Sequence, residues 1–219
     1  MYVNDLSFNP CDPLYDVPGL PGAQWGVQLF TTRNFYQLDP DQVMLTPAGS
    51  GLRLVCEGLR WAGQQQPSAG RVEVDIQLDN GAVVWEMRAW HAEPIKNIKL
   101  MLWNLPAGAL ERGWWQPTSR HDDAFQPIGY HNPKQDYPGS RGTKPLLWNY
   151  PWPEWLTPWA CAGDASEAVC ISIRDSEVRA KRLYVFHPPY ASSDIVEIVC
   201  EEDAARWGGH FATPPIRVH

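Results

Sequence analysis

Arg71-Val-Glu-Val-Asp-Ile-Gln-Leu-Asp-Asn-Gly-Ala-Val-Val-Trp-Glu-Met-Arg-Ala-Trp90 decides the fold class. Val72, Val74, Ile76 and Leu78 alternate with Arg71, Glu73, Asp75 and Gln77. A period of two places apolar side chains on one face of a half-buried strand. Asp79-Asn80-Gly81 interrupts the pattern. Asn-Gly accepts the positive φ of a type I′ turn, so the pair predicts a hairpin, and Ala82 to Trp90 returns as its second strand.

Outward from that hairpin the same signature recurs. Leu52, Leu54 and Cys56 alternate with Arg53, Val55 and Glu57, and Ile95 to Leu102 reads as a further strand closed by Asn104-Leu-Pro-Ala-Gly108. Short apolar runs at Val27 to Phe30 and Val43 to Leu45, and longer ones at Ala168 to Ile173, Arg182 to Phe186 and Ile195 to Cys200, extend the series. Asp203 to Trp207 offers at most one helical turn. Strands separated by turn signals predict an all-β, antiparallel β-sandwich with long aromatic-rich loops. Residues 1–25, rich in Pro, Asp and Gly, read as an irregular N-terminal arm, and residues 26–219 as a single sandwich domain. From Gly113 to Trp159 alternation fades while Trp and Pro accumulate, which predicts a long ordered loop region.

Composition removes other classes. With 21 Pro and 17 Gly the chain is punctuated too often for a helical bundle. Lys+Arg 18 against Asp+Glu 25 gives a net charge of -7. Such a chain has no excess positive charge to release counterions from phosphates, so nucleic acid is not an expected partner. No apolar run reaches the ~18 residues a membrane-spanning helix needs. Met1-Tyr-Val-Asn-Asp lacks the basic and apolar regions of a signal peptide, which predicts a soluble, cytoplasmic protein. The 5 Cys are odd in number and form no C-x-x-C, arguing against a complete disulfide framework. Cys56, Cys170 and Cys200 sit in apolar runs and read as small core residues, which fits a reducing compartment.

Chemistry concentrates in the aromatic region. Trp148, Trp152, Trp155 and Trp159 recur at helix-like spacing, but Pro151, Pro153 and Pro158 forbid a continuous helix. Flat rings stack on the apolar face of a sugar, and ring N–H and Tyr hydroxyl groups bond its hydroxyls. These four Trp, with Trp114, Trp115 and Tyr137, are therefore candidate carbohydrate contacts; the competing reading is that they anchor a long loop on the core. His121, Asp122 and Asp123 are the polar counterpart, able to bond sugar hydroxyls. Together with His131 they have metal-ligating side chains, but the H-x-x-x-H spacing is missing and no metal is expected. Neither a P-loop, a dinucleotide fingerprint nor a G-x-S-x-G motif occurs, so no cofactor and no catalytic residue is assigned.

Gly58-Leu-Arg-Trp61, Val72 to Leu78, the Asn80-Gly81 turn, Trp85 and Ile95-Lys-Asn-Ile-Lys-Leu-Met-Leu-Trp-Asn-Leu-Pro106 give a layout that resembles the galactose-mutarotase-like sandwich. More narrowly, it is similar to the N-terminal domain of certain large barrel-type glycoside hydrolases. In those proteins a Tyr-Pro, Trp-rich segment precedes a strand and a turn carrying Asp and a basic residue. Here these correspond to Tyr150 to Trp155, Ala168 to Ile173, then Arg174-Asp175 and Lys181-Arg182. The resemblance, over roughly residues 27–200, implies a non-catalytic, carbohydrate-associated module, with carbohydrate as ligand and a downstream catalytic domain as partner. The alternative it implies is a free-standing sugar epimerase using a His and a carboxylate on the concave sheet face, for which His91 and Glu86 are the candidates. Their odd spacing turns the two side chains to opposite faces of a strand.

Overall fold

The computed structural model describes residues 12–105, 114–116, 126–128, 146–151, 155, 157–163, 168–186 and 195–219. The first half contributes β1 (Tyr15–Asp16), β2 (Gln24–Thr31), β3 (Phe35–Leu38), β4 (Val43–Ala48), β5 (Gly51–Cys56), β6 (Leu59–Trp61), β7 (Gln66–Ser68), β8 (Arg71–Asp79), β9 (Ala82–Trp90) and β10 (Ile95–Trp103). The second half contributes β11 (Trp114–Gln116), β12 (Gln126–Ile128), β13 (Leu146–Tyr150), β14 (Trp159–Gly163), β15 (Ala168–Ile173), β16 (Lys181–Phe186), β17 (Ile195–Glu201), β18 (His210–Ala212) and β19 (Ile216–Val218). Two short 3-10 turns, Pro40–Gln42 and Ala204–Arg206, are the helical elements among the described residues.

These strands form two sheets, and every pairing between them is antiparallel. A nine-stranded sheet runs β13-β16-β17-β10-β2-β3-β6-β7, with β1 beside β2; a ten-stranded sheet runs β12-β11-β14-β15-β19-β9-β8-β5-β4, with β18 beside β9. The expected all-β sandwich is what the chain forms. Trp25, Val27 and Leu29 of β2, Ile98, Leu100 and Leu102 of β10, and Val196, Ile198 and Cys200 of β17 pack with Val72, Val74 and Ile76 of β8 and Trp85, Met87 and Ala89 of β9. Burying each large apolar side chain contributes roughly 1.5–3 kcal/mol.

The deciding hairpin forms in the expected register, from Arg71 opposite Trp90 to Asp79 opposite Ala82. Asn80 and Gly81 both have positive φ, 50° and 80°. Leu78 departs from its three partners on the strand: it is 40% exposed, because it lies at the strand end against the Gly19 turn.

Two readings change. Cys170 is not a simple core thiol; it is disulfide-bonded to Cys161, its direct cross-strand partner on β14, with Cα atoms 4.2 Å apart. That pairing removes the cysteine argument for a reducing compartment, since the odd count hid one bridge beside the buried free thiols of Cys56 and Cys200. The Trp-rich region also carries β11, β12, β13 and the start of β14. Strands of three to five residues are too short for their alternation to be legible. Of the N-terminal stretch, Tyr15–Asp16 is a strand on β2, and Val17, Ala23 and Trp25 are buried in the core. Among the described residues no helix is long and apolar enough to cross a membrane.

Candidate functional site on the outer face of the nine-stranded sheet

Because Ile98, Leu100 and Leu102 face the core, Asn97, Lys99, Met101 and Trp103 point the other way. The ladder registers carry this polarity across the sheet. Arg60 of β6 lies opposite Gln37 of β3, Gln37 opposite Gln28 of β2, and Gln28 opposite Lys99 of β10. Lys99 lies opposite Val199 of β17, Val199 opposite Arg182 of β16, and Arg182 opposite Asn149 of β13. From β6 to β13 this transverse row is therefore polar at every strand but β17, and Glu197 and Tyr184 stand opposite each other in the next row.

An outer sheet face normally keeps such groups in water. Here Gln28, Gln37 and Glu197 are fully buried, Lys99 is 1% exposed and Asn97 5%. Lys99 Nζ lies 2.8 Å from Glu197 Oε2 and 5.1 Å from the Phe30 ring centroid. Arg182 Nη1 donates to the Tyr184 hydroxyl at 3.0 Å, and its guanidinium is ion-paired with Glu201.

The chain entering β1 closes one end of this face. Asp12 is buried, and its carboxylate accepts from Gln28 Nε2 at 2.8 Å on one oxygen and from Gln37 Nε2 on the other. A carboxylate only accepts, so both amide NH2 groups must turn toward it. The amide oxygens then point away, and Gln28 Oε1, Gln37 Oε1 and Asn97 Oδ1 are buried without a hydrogen-bond donor among the described residues. Each such orphan costs about 1–3 kcal/mol. Asn97, Lys99 and Arg182, with Phe30 and Val199, line a cavity of about 10 Å³. That is room for one water. Between β1 and β2 of this sheet and β4 and β5 of the other, a groove of about 470 Å³ is lined by Leu14, Tyr15, Asp16, Gln24, Leu45 and Leu52. Burial pushes the Tyr15 hydroxyl in that groove up to about 12.

A second charged cluster has a structural role. Between β15 and β16, the Asp175 carboxylate accepts from Lys181 Nζ at 2.7 Å and from the backbone N–H groups of Glu177 and Arg179 at 3.0 and 3.1 Å. Burial would raise this carboxyl, but the hydrogen bonds from Lys181 and the Glu177 N–H, the Lys181 charge and Arg179 outweigh it and hold the group at about 2. This is the Asp-and-basic turn of Arg174-Asp175 and Lys181-Arg182, a staple closing one end of the core. Next to it, burial pushes the Cys200 thiol up to about 12, so it is inert as a nucleophile.

The candidate rings divide. Trp148 and Trp155 are core residues, 4% and 0% exposed, packed against each other with centroids 6.4 Å apart. Neither presents a face to a sugar: a pairing of β13 with β16 turns Trp148 inward with Leu183, and Trp155 donates its Nε1 to the backbone carbonyl of Trp159 at 2.8 Å. Trp159 itself is half-buried at the start of β14. Trp114 and Trp115 lie on β11, opposite Ile128 and Pro127. His121, Asp122, Asp123, Tyr137 and Trp152 lie outside the described residues, as does His131. Among the described residues no group of His, Cys, Asp and Glu is arranged to hold a metal ion.

His91 and Glu86 do not converge. Glu86 is exposed on the outer face of β9, whereas the His91 ring packs 4.5 Å from the Tyr36 ring. His91 Nδ1 accepts from the Glu93 N–H at 3.0 Å. Burial lowers the imidazole below its ordinary value, against the pull of the Glu93 carboxylate.

Gln28, Gln37, Asn97, Lys99, Arg182 and Glu197 escaped the sequence reading. The signal was there in Ile95 to Trp103 and Ile195 to Glu201, where Lys99 and Glu197 each interrupt an apolar strand at its centre. No protein-family model and no curated protein matches the sequence. Solved structures that the chain is similar to include the following two. One is the Slr1438 protein from Synechocystis sp. PCC 6803, with 10% identity over 90% of this chain and 77% of that chain and a TM-score of 0.48. The other is a galactose mutarotase related enzyme from Lactobacillus acidophilus, with 8% identity over 94% of this chain and 86% of that chain and a TM-score of 0.48.

Proposed function

We propose that this chain is a non-catalytic, carbohydrate-associated β-sandwich module, accessory to a glycoside hydrolase, that holds a sugar on the outer face of its nine-stranded sheet. The observation that carries the reading is the set of buried amide oxygens without donors, Gln28 Oε1, Gln37 Oε1 and Asn97 Oδ1, on one face with Lys99, Glu197, Arg182 and Tyr184. A sugar presents many hydroxyl donors and acceptors on a compact frame, which is what such orphaned acceptors and paired charges complement. Phe30 and Trp103, on the same face, are the rings that would meet its apolar side. Since Trp148 and Trp155 serve as core anchors, the proposal rests on the sheet face and not on the Trp-rich segment.

The epimerase reading asks for a His and a carboxylate together on the concave sheet face. Glu197 supplies a carboxylate, but the described residues of the face include no His, and Glu86 and His91 diverge. Isothermal titration of the full chain against neutral and acidic mono- and oligosaccharides tests the proposal. A saturable heat that weakens at least about tenfold in Asn97→Leu, with the melting temperature preserved, is the expected result. A folded wild-type chain that gives no saturable heat with any sugar overturns it.

A further inference from the structure

Three features meet at Asp12. Its carboxylate is gripped by two buried side-chain amides, Gln28 and Gln37, one on each oxygen, which is a two-point carboxylate receptor built into adjacent strands. The next residue along the row is Lys99, a buried cation. The segment that delivers Asp12 is seated by a glycine: a Cβ at Gly26 would stand 3.0 Å from the Pro13 carbonyl oxygen and 3.1 Å from Leu14 Cδ2. Gly26 is two residues before Gln28 and on the same face, so the sheet is hollowed where residues 13 and 14 cross it. Leu14 also lines the 470 Å³ groove, so residues 12–14 border both that groove and the amide pair.

We propose that residues 12–14 form a displaceable strap, that Asp12 occupies its own protein's carboxylate receptor, and that the ligand which displaces it is a sugar acid whose carboxylate takes the place of Asp12 between Gln28 and Gln37. This deepens the sugar-binding reading and rests on it. The hydroxyls of a neutral sugar accept from the two amide NH2 groups only as uncharged oxygens, whereas a uronate offers both oxygens of one carboxylate in charge-assisted hydrogen bonds and brings hydroxyl donors for the amide oxygens left unpaired. The remainder of the sugar then lies toward the groove that Leu14 lines, whose volume is in the range of small-ligand sites. Closure by the strap lowers the apparent affinity by the fraction of open molecules, so weakening the strap raises it.

The test compares wild type, Asp12→Ala and Asp12→Ala/Gln37→Leu by thermal melting and titration with sodium acetate, D-glucuronate, D-galacturonate and D-glucose. Asp12→Ala leaves two buried amides without an acceptor and lowers the melting temperature by about 5 °C. Acetate and the uronates recover it saturably in Asp12→Ala but not in the Gln37→Leu double variant. Uronates bind Asp12→Ala at least about tenfold tighter than wild type, and glucose shows no such gain. If neutral sugars bind wild type and Asp12→Ala alike while carboxylates neither recover stability nor bind, the strap and the sugar-acid ligand are overturned and the sugar site stands. Recovery by acetate with no binding of any sugar overturns the sugar reading and the sugar-acid ligand together. Should Asp12→Ala fail to fold, Asp12→Asn, which keeps the side-chain volume and loses one acceptor, is read by the same comparisons.

Discussion

On the outer face of the ten-stranded sheet, Arg53, Arg71 and Arg88 interleave with Glu57, Glu73 and Asp75, and the arginine side chains are 41%, 39% and 33% exposed. Arg53 reaches both Glu73 and Asp75, at 2.9 and 3.5 Å, and Arg71 reaches both Glu57 and Glu73. On the outer face of the nine-stranded sheet, Lys99 and Glu197 form a pair whose side chains are 2% and 0% exposed, among amides whose oxygens lack donors among the described residues. The same alternation made both faces. Water makes the difference: charges that stay wet share partners at little cost, whereas a charge out of water needs a specific partner at a specific distance. On the proposed reading, a polar group that stays buried and incompletely satisfied, as Asn97 does, belongs to the face that takes the sugar.

The largest test of this contrast is Lys99→Met. Leaving Glu197 buried without its cation costs about 3–5 kcal/mol in urea unfolding, and the double variant Lys99→Met/Glu197→Leu recovers much of that loss. A cost below about 1 kcal/mol for the single variant would put Lys99 in the wet class.

Asp175→Asn comes next, because this carboxylate is also out of water, 3% exposed beside Lys181. Its folded value of about 2 lies below the ordinary 3.8, so its contribution is present above the unfolded value and is lost as pH falls from about 4 through 2. The shift corresponds to about 2 kcal/mol. Wild type and Asp175→Asn should therefore differ by that amount at pH 6 and converge near pH 2 in denaturant titrations.

Arg88→Ala, in the wet lattice, should cost less than about 1 kcal/mol, and less again in 1 M salt, because Arg53 and Arg71 remain to serve Glu73. The Arg71 hydrogen bond already holds that carboxyl below its usual range. A salt-insensitive loss would show that this face is also covered.

His91 gives the smallest effect. Its imidazole is held below the usual 6.5 by burial, so the unfolded chain takes up the proton first. Stability is then full above about pH 6.5 and declines as pH falls below it. His91→Gln should flatten that part of the pH profile, and the imidazole proton shifts followed by NMR should titrate below the free value.

Much of the frame is legible residue by residue. The hairpin from Arg71 to Trp90 follows from a period of two on each side of Asn80-Gly81, and those two residues do take positive φ. Ile95 to Trp103 and Ala168 to Ile173 alternate on the same principle, and Ile195 to Glu201 is legible as an apolar run broken by Glu197. Periodicity is a local property, and a strand of six to nine residues repeats it often enough to be read. Trp114 to Gln116 and Gln126 to Ile128 do not, and they became strands because a neighbour offered a ladder.

The site lies beyond that limit. Alternation says that Lys99 and Glu197 leave the core side of their strands, but not that β10 and β17 are neighbours or that their registers bring the two charges to 2.8 Å. Nor does it say that Asp12, from a stretch without any period, comes to rest between Gln28 and Gln37. Sequence alone settled the fold class and the principal strands, because these follow from local geometry and composition. Tertiary structure alone decided which polar face went dry, which Trp became core, and which Cys found each other, because burial and pairing depend on what distant segments bring to the same place.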